Sequence, residues 1–188
     1  MTGFNKRVEL HDKIQNYLLC LFEASGYPCE PYGIESGKGL KIHKELLKCT
    51  NDTAKYVRHQ PDKVVIKDNE AILIDIKTQQ RYDTKNYSVE LDSYKVCKLL
   101  EDIGCKVLYF FNKEPNPPYK MCVCYVRDIE FCYTDENPNW DVKGSRTPFG
   151  LIPKNSVFIK PIESFFKLKL PVDHNKDRMK PLEAYSNA

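Results

Sequence analysis

Two aspartates and a lysine, Asp62, Asp75 and Lys77, are the residues of this chain whose types and spacing most directly suggest chemistry. They lie in two β-rich runs, residues 64–67 and 71–77 with the Pro61-Asp62 that precedes them, joined by Asp68-Asn69. The short polar side chains of that dipeptide tolerate positive φ, so the runs read as a tight hairpin. A two-residue turn there sets a register in which Lys67 faces Glu70, Ile66 faces Ala71 and Asp62 comes opposite Asp75. Directly opposed residues have Cβ atoms about 4.5–5.5 Å apart, and like charges at that separation are unfavourable unless a cation lies between them. A divalent metal ion is the natural candidate. Strand alternation puts Lys77 on the same face as Asp75, with Ile72, Ile74 and Ile76 on the other. Two carboxylates and an ammonium therefore converge on one spot.

The run 71–74 is apolar on both faces and the strand becomes charged only at its end, as a central strand emerging at a site would. The pattern Pro61-Asp62, twelve residues, Asp75-Ile76-Lys77 resembles the signature of the PD-(D/E)xK nuclease superfamily, which includes type II restriction enzymes and archaeal-type Holliday junction resolvases. The resemblance implies an α/β fold with a restriction endonuclease-like αβββαβ core, a mixed central sheet flanked by helices, and here a C-terminal β-rich extension. It implies a deoxyribonuclease that depends on Mg²⁺ (or Mn²⁺) and hydrolyses phosphodiester bonds. Asp62 and Asp75 would be the direct metal ligands, the main-chain carbonyl of Ile76 a third. Lys77 would orient the attacking water, help to deprotonate it and stabilise charge on the phosphate. Relatives often add an acidic residue from the first helix, for which Glu9 is the best positional match and Asp12 the rival. They also place a polar residue from the helix after the Asp-x-Lys strand near the substrate, which makes Glu90 a secondary candidate. Resolvases often carry Glu where this chain has Asp75, a difference of one methylene in reach.

The elements that must position these groups can be read along the chain. Leu10, Ile14, Tyr17, Leu18, Leu21 and Phe22 fall at helical spacing within residues 5–25, and Gly26 supplies a stop. Pro28 and Pro31 limit 27–35 to an edge strand or an extended connection. Residues 40–49 read as a short helix and 50–55 as its polar exit. Ser36-Gly37-Lys38-Gly39 lacks the full spacing of a phosphate-binding Gly-x-x-x-x-Gly-Lys loop. Arg58 and His59, directly before Pro61-Asp62, are candidates for a phosphate contact and an auxiliary proton carrier. The polar stretch 78–86 reads as a loop at the mouth of the site, with Gln79, Arg81 and Lys85 as candidate DNA contacts. Residues 89–103 read as a helix closed by Gly104, and 105–111 as an apolar strand returning beside the hairpin. Beyond the proline-rich break at 114–120 come one or two strands in 121–133, a long loop over 134–155 holding Trp140 and a hydrophobic segment at 148–153, and an apolar strand or turn leading into a helix at 157–168.

At 188 residues the chain is expected to be one domain: a core over 1–113 and an extension over 114–188 packed on it, with a loosely ordered tail from Asp173. No apolar run reaches the eighteen or more residues of a membrane span, and the N-terminus lacks a secretory apolar core, so a cytoplasmic, cellular or viral protein with no membrane association is expected. The net charge of +3 is too small to argue for nucleic acid by itself. Residues 38–63, however, hold seven Lys/Arg against three Asp/Glu, a local basic rim suited to a phosphate backbone. The eight cysteines contain no Cys-x-x-Cys pair. Cys122, Cys124 and Cys132 have the wrong spacing for an iron–sulfur cluster, and the cysteines read as reduced core residues. Cutting both strands of a duplex would favour a homodimer. The alternatives are a nuclease fold without catalysis that holds DNA or a protein, and a small-molecule metalloenzyme or purely structural domain.

Overall fold

The computed structural model describes residues 3–33, 45–46, 48–79, 82–136 and 147–169. Helix α1, Gly3–Ala24, opens the chain. Its end is closed as the glycine signal predicts: Gly26 takes φ 80°, its N–H bonds to Glu23 O at 3.0 Å, and Tyr27 N–H reaches back to Phe22 O at 2.9 Å. Tyr27 also packs edge-on against Phe22, the apolar contact that accompanies this type of cap. The chain then forms a three-residue strand, β1 (Cys29–Pro31). Of the expected 40–49 helix, Glu45 and Leu46 are helical, and most of the rest lies outside the described residues.

The stretch 50–55, expected to leave a helix, instead begins one. Helix α2 spans Asp52–Arg58, and the Asn51 side chain accepts from Ala54 N–H at 2.9 Å. Asn51-Asp52-Thr53 is a capping signal, and the same polar residues that end one helix can start another. Strands β2 (Lys63–Lys67) and β3 (Glu70–Lys77) follow, with Asp68 and Asn69 at φ 51° and 63°. Both turn residues are left-handed, as a two-residue hairpin loop requires. The pairs Lys67–Glu70 and Ile66–Ala71 form as expected, and the ladder runs to Lys63–Ile74.

Strand β4 (Asn86–Glu90) precedes helix α3 (Leu91–Asp102), so Val89 and Glu90 belong to a strand and not to the helix expected over 89–103. The helical stripe overran its start because Val89 is apolar in both readings, and β4's partner is remote in sequence. That partner is β8 (Phe149–Pro153), which pairs in turn with β7 (Tyr133–Asp135) to make a three-stranded antiparallel sheet. Part of the span expected as a long loop, and the hydrophobic segment within it, is therefore strand. Gly104, at φ 98°, ends α3 as expected.

Strand β5 (Lys106–Asn112) returns parallel to β3, as the helical crossover through α3 permits. Strands β6 (Met121–Tyr125) and β9 (Lys160–Pro161) extend the sheet on that side, giving the order β1-β2-β3-β5-β6-β9. A short 3₁₀ turn, Ile162–Ser164, stands where a helix was expected near 157–168, and another, Val126–Asp128, follows β6. The result is a mixed central sheet flanked by helices, with β-rich additions from the C-terminal part. On one face α1 and Phe166 pack over Val65, Ile72, Ile74, Ile76, Leu108 and Phe110. On the other, α3 and the small sheet pack over Leu73, Val107, Tyr109 and Phe111. Cys122 and Cys124 share this second core, and all eight cysteines are free thiols. Among the described residues no helix is long and apolar enough to cross a membrane.

Candidate active site at the end of the central strands

Strand β3 is buried over most of its length, and its last residues bring polar groups to the rim of the sheet where α1 and α3 approach from opposite faces. Asp75 is 5% exposed and Asp62 7%. Such burial is tolerated by carboxylates only when partners replace water. Asp75 has three, all on Oδ2: the Lys77 Nζ ammonium at 2.8 Å, the Ser93 hydroxyl donating at 2.8 Å, and the Cys97 thiol at 3.4 Å. Ser93 and Cys97 stand four residues apart on α3, so one helix face delivers both. Lys77 also donates to Ser93 Oγ at 2.6 Å, and its Nζ sits 5.0 Å from the centre of the Tyr109 ring. Tyr109 is fully buried and comes from the next residue pair of the sheet, opposite Asp75 on β5.

Asp62 lies one residue before β2, where its carbonyl accepts from Tyr32 N–H at 2.9 Å. Its Oδ2 accepts from Ile76 N–H at 2.7 Å, which locks the carboxylate across the end of β3. Its Oδ1 faces α1, accepting from Gln15 Nε2 at 3.2 Å with His11 Nε2 3.8 Å away. His11 and Gln15 are a turn apart and bond to each other at 2.7 Å, while His11 Nδ1 meets Thr78 Oγ1 at 2.8 Å. With the ring proton on Nδ1, the chain of donors runs from Gln15 to both His11 and Asp62, and from His11 to Thr78.

These contacts set the charges. Burial disfavours the ionised form of Asp62, but the neighbouring His11, the Ile76 N–H and Lys77 outweigh it and hold the carboxyl below its ordinary value. Burial likewise works against a charged His11, yet Asp62, and further off Asp75, raise it above its ordinary value. Lys77 is raised too: its burial is overcome chiefly by Asp75, so it remains an ammonium at any physiological pH. The Cys97 thiol is pushed up by burial and by Asp75 and stays protonated, as a donor must.

Asp62, Asp75, Lys77 and the Ile76 main chain are thus brought together. Glu9 is not. It is exposed and paired with Lys13 at 2.7 Å, because the site-facing side of α1 is the one carrying His11 and Gln15, about 200° around the helix from Glu9. Asp12 is half-buried on the same helix. Gln79, a candidate DNA contact, is 8% exposed; its N–H donates to Asn112 Oδ1 at 2.7 Å, and its side-chain oxygen accepts from Ser88 N–H at 3.3 Å. It pins the chain leaving β3 to β4 and β5. Arg58 ends α2 with its Nε buried and without a hydrogen-bond partner. His59 caps that helix, and burial lowers its pKa against the opposing pull of Glu90 and Asp92. Glu90 stands at the junction of β4 and α3. Lys85 is exposed, with its carbonyl accepting from Lys154 N–H at 3.0 Å. Arg81, Trp140, residues 38–44 of the basic rim and the tail from Asp173 lie outside the described residues. The sequence reading missed His11, Gln15, Thr78 and Ser93. The i, i+4 pair of polar residues beside the apolar stripe of α1 was the one available signal for the first two.

Among the described residues no three His, Cys, Asp or Glu side chains gather into a metal cage. The donor set nevertheless fits a hard divalent ion held in the manner of Mg²⁺, through one or two carboxylates with water and substrate oxygens completing the shell. Asp75 gathers its three donors on Oδ2, which leaves Oδ1 for a cation, and Asp62 Oδ1 has Gln15 as its one hydrogen-bond donor at 3.2 Å, which leaves it a further lone pair. Two carboxylates against one ammonium also leave a net negative charge when His11 is neutral.

The sequence matches no family model and no curated protein. Among solved structures, the chain is similar to Hjc, a Holliday junction resolvase of the archaeal hyperthermophile Archaeoglobus fulgidus, with a TM-score of 0.45 and 12% identity over 80% of this chain and 94% of that one.

Proposed function

We propose that the protein is a metal-dependent DNA endonuclease of the PD-(D/E)xK kind. The observation that carries this reading is the buried Asp75–Lys77 pair at 2.8 Å with Asp62 locked beside it on the Ile76 N–H. Asp62 and Asp75, with the Ile76 carbonyl, would hold Mg²⁺ or Mn²⁺. When bound, that ion would neutralise charge on the phosphate and lower the cost of forming hydroxide.

The chain's own groups supply the rest. Lys77 presents a fixed positive charge: with its pKa raised it does not take up a proton from water. It instead favours hydroxide beside it and stabilises the negative charge that builds on the phosphate oxygens, where such preorganised groups contribute most. Asp62 is held ionised and in one rotamer, so no reorganisation is needed when a cation arrives. Gln15 and His11 on α1 hold its second oxygen in place. Arg58, whose Nε is buried without a partner, and exposed Lys85 are assigned to the phosphate backbone, with Arg81 as a further candidate DNA contact, His59 as an auxiliary proton carrier and Glu90 as a secondary candidate near the substrate. Cutting both strands of a duplex would need two such sites, hence a homodimer.

Incubation with Mg²⁺ or Mn²⁺ and supercoiled, linear or branched DNA tests the reading. Metal-dependent nicking or resolution that disappears in Asp75→Asn supports it. Binding without cleavage under every metal and substrate would mark a nuclease-like fold retained as a DNA-binding module, and neither binding nor cleavage would overturn the assignment to DNA.

A further inference from the structure

We propose that Ser93 is the positioning residue of the site, the group that sets the direction of the Lys77 ammonium; the inference rests on the nuclease reading above and specifies which residue controls its charge donor. Ser93 is 3% exposed in the first turn of α3. A hydroxyl has one proton and two lone pairs. Its neighbours here are an ammonium, which can only donate, and a carboxylate, which can only accept. The polarity is therefore unambiguous: Lys77 Nζ donates to Ser93 Oγ at 2.6 Å, and Ser93 Oγ donates to Asp75 Oδ2 at 2.8 Å.

Lys77 has three N–H bonds. One goes to Asp75 at 2.8 Å, one to Ser93, and the Tyr109 ring lies against the ammonium with its centre 5.0 Å away. With two protons committed to Ser93 and Asp75, one N–H is left for a phosphate oxygen. Ser93 matters most at the moment the direct pair is weakest. A cation drawing on Asp75 competes with Lys77 for the same carboxylate, and the Ser93 bond, which does not depend on Asp75's charge, then remains to keep Lys77 from swinging into solvent. Cys97 contrasts with it usefully: its thiol touches Asp75 Oδ2 at 3.4 Å and serves the carboxylate.

The test compares Ser93→Ala, Ser93→Thr and Cys97→Ala with the wild type, in single-turnover cleavage at saturating DNA and in the ¹⁵N-correlated ammonium resonance of Lys77. Loss of one hydrogen bond to a charged group in the transition state should lower the cleavage rate of Ser93→Ala about tenfold. DNA affinity in Ca²⁺ should stay within about twofold, since phosphate contacts are spread over many groups. The Lys77 resonance should broaden through faster hydrogen exchange in Ser93→Ala, and Ser93→Thr should restore both readouts. Cys97→Ala should leave the resonance sharp. If Ser93→Ala keeps both the rate and the resonance, or if Cys97→Ala matches it in both, Ser93 only fills space and the proposal is wrong. Should Ser93→Ala not fold, Ser93→Thr decides, because a retained hydroxyl must preserve the sharp resonance. A wild type that cuts no DNA defeats the nuclease reading alone; the resonance still judges Ser93, since it needs no catalysis.

Discussion

Replacing Lys77 with methionine keeps the stem of the side chain and removes its charge, leaving Asp75 buried at 5% exposure with only Ser93 and Cys97 as donors. At the observed 2.8 Å, two unit charges in a medium of effective dielectric constant 20 attract by about 6 kcal/mol, gross of the cost of taking both out of water. Breaking one partner of a buried pair costs about 3–5 kcal/mol, because the remaining charge is stranded. Two surviving donors put this case at the lower end, about 3 kcal/mol. With a urea dependence of about 2 kcal/mol per molar, the midpoint should fall by about 1.5 M, read by helix circular dichroism at neutral pH. Mg²⁺ should then stabilise the variant more than the wild type, since it supplies the missing positive charge; at about a hundred times its Kd it would return about 2.7 kcal/mol. Cleavage should fall by about 10²–10³, in line with the loss of a positioned charge at a developing anion. A stability loss below about 1 kcal/mol, the size of an exposed ion pair, would refute the picture of Asp75 as a buried carboxylate in need of a cation, and with it the reason for expecting a metal there.

Asp62→Asn should fold normally, because the amide oxygen can still accept from Ile76 N–H, and should abolish metal-dependent cleavage; activity at matched Mg²⁺ would remove Asp62 from the site. His11 binds its proton more tightly folded than unfolded, so its contribution to stability is full below its ordinary value near 6.5 and is lost as pH rises through the raised folded value. The stability difference between wild type and His11→Gln should accordingly be largest below about pH 6 and shrink above it, and a difference growing with pH would contradict the His11–Asp62 contact. Asp62 acts in the opposite sense: its contribution is present above the ordinary aspartate value and is lost as pH falls through the lowered folded one. Arg58→Ala and Lys85→Ala should each weaken DNA binding and flatten its dependence on salt by about one phosphate contact, measured by titration at several ionic strengths.

The β2–β3 hairpin could be written down from the sequence because everything that defines it is local. Asp68-Asn69 selects a two-residue left-handed turn, the turn sets the register, and alternation then places Asp75 and Lys77 together on the face opposite Ile72, Ile74 and Ile76. The same holds for the ends of α1 and α3, where Gly26 and Gly104 act through backbone conformation alone. What surrounds the carboxylates was decided at longer range. His11 and Gln15 reach Asp62 across 51 and 47 residues of sequence, and Ser93 reaches Asp75 across 18. The side of α1 that meets the sheet rim depends on how the helix rolls when Ile14, Leu18, Leu21 and Phe22 are buried, a rotation that hydrophobic spacing constrains only to within about one residue. Glu9 and His11 flank Leu10 on opposite sides of that stripe, and the spacing of apolar residues does not say which flank reaches the rim. Strand β4 was hidden for a related reason: Tyr87 and Val89 have no local partner, and become strand only because β8 is folded beside them. A side chain's membership of the site therefore followed from sequence where a turn or an alternation fixed its direction, and from the tertiary structure where packing between distant elements chose the face.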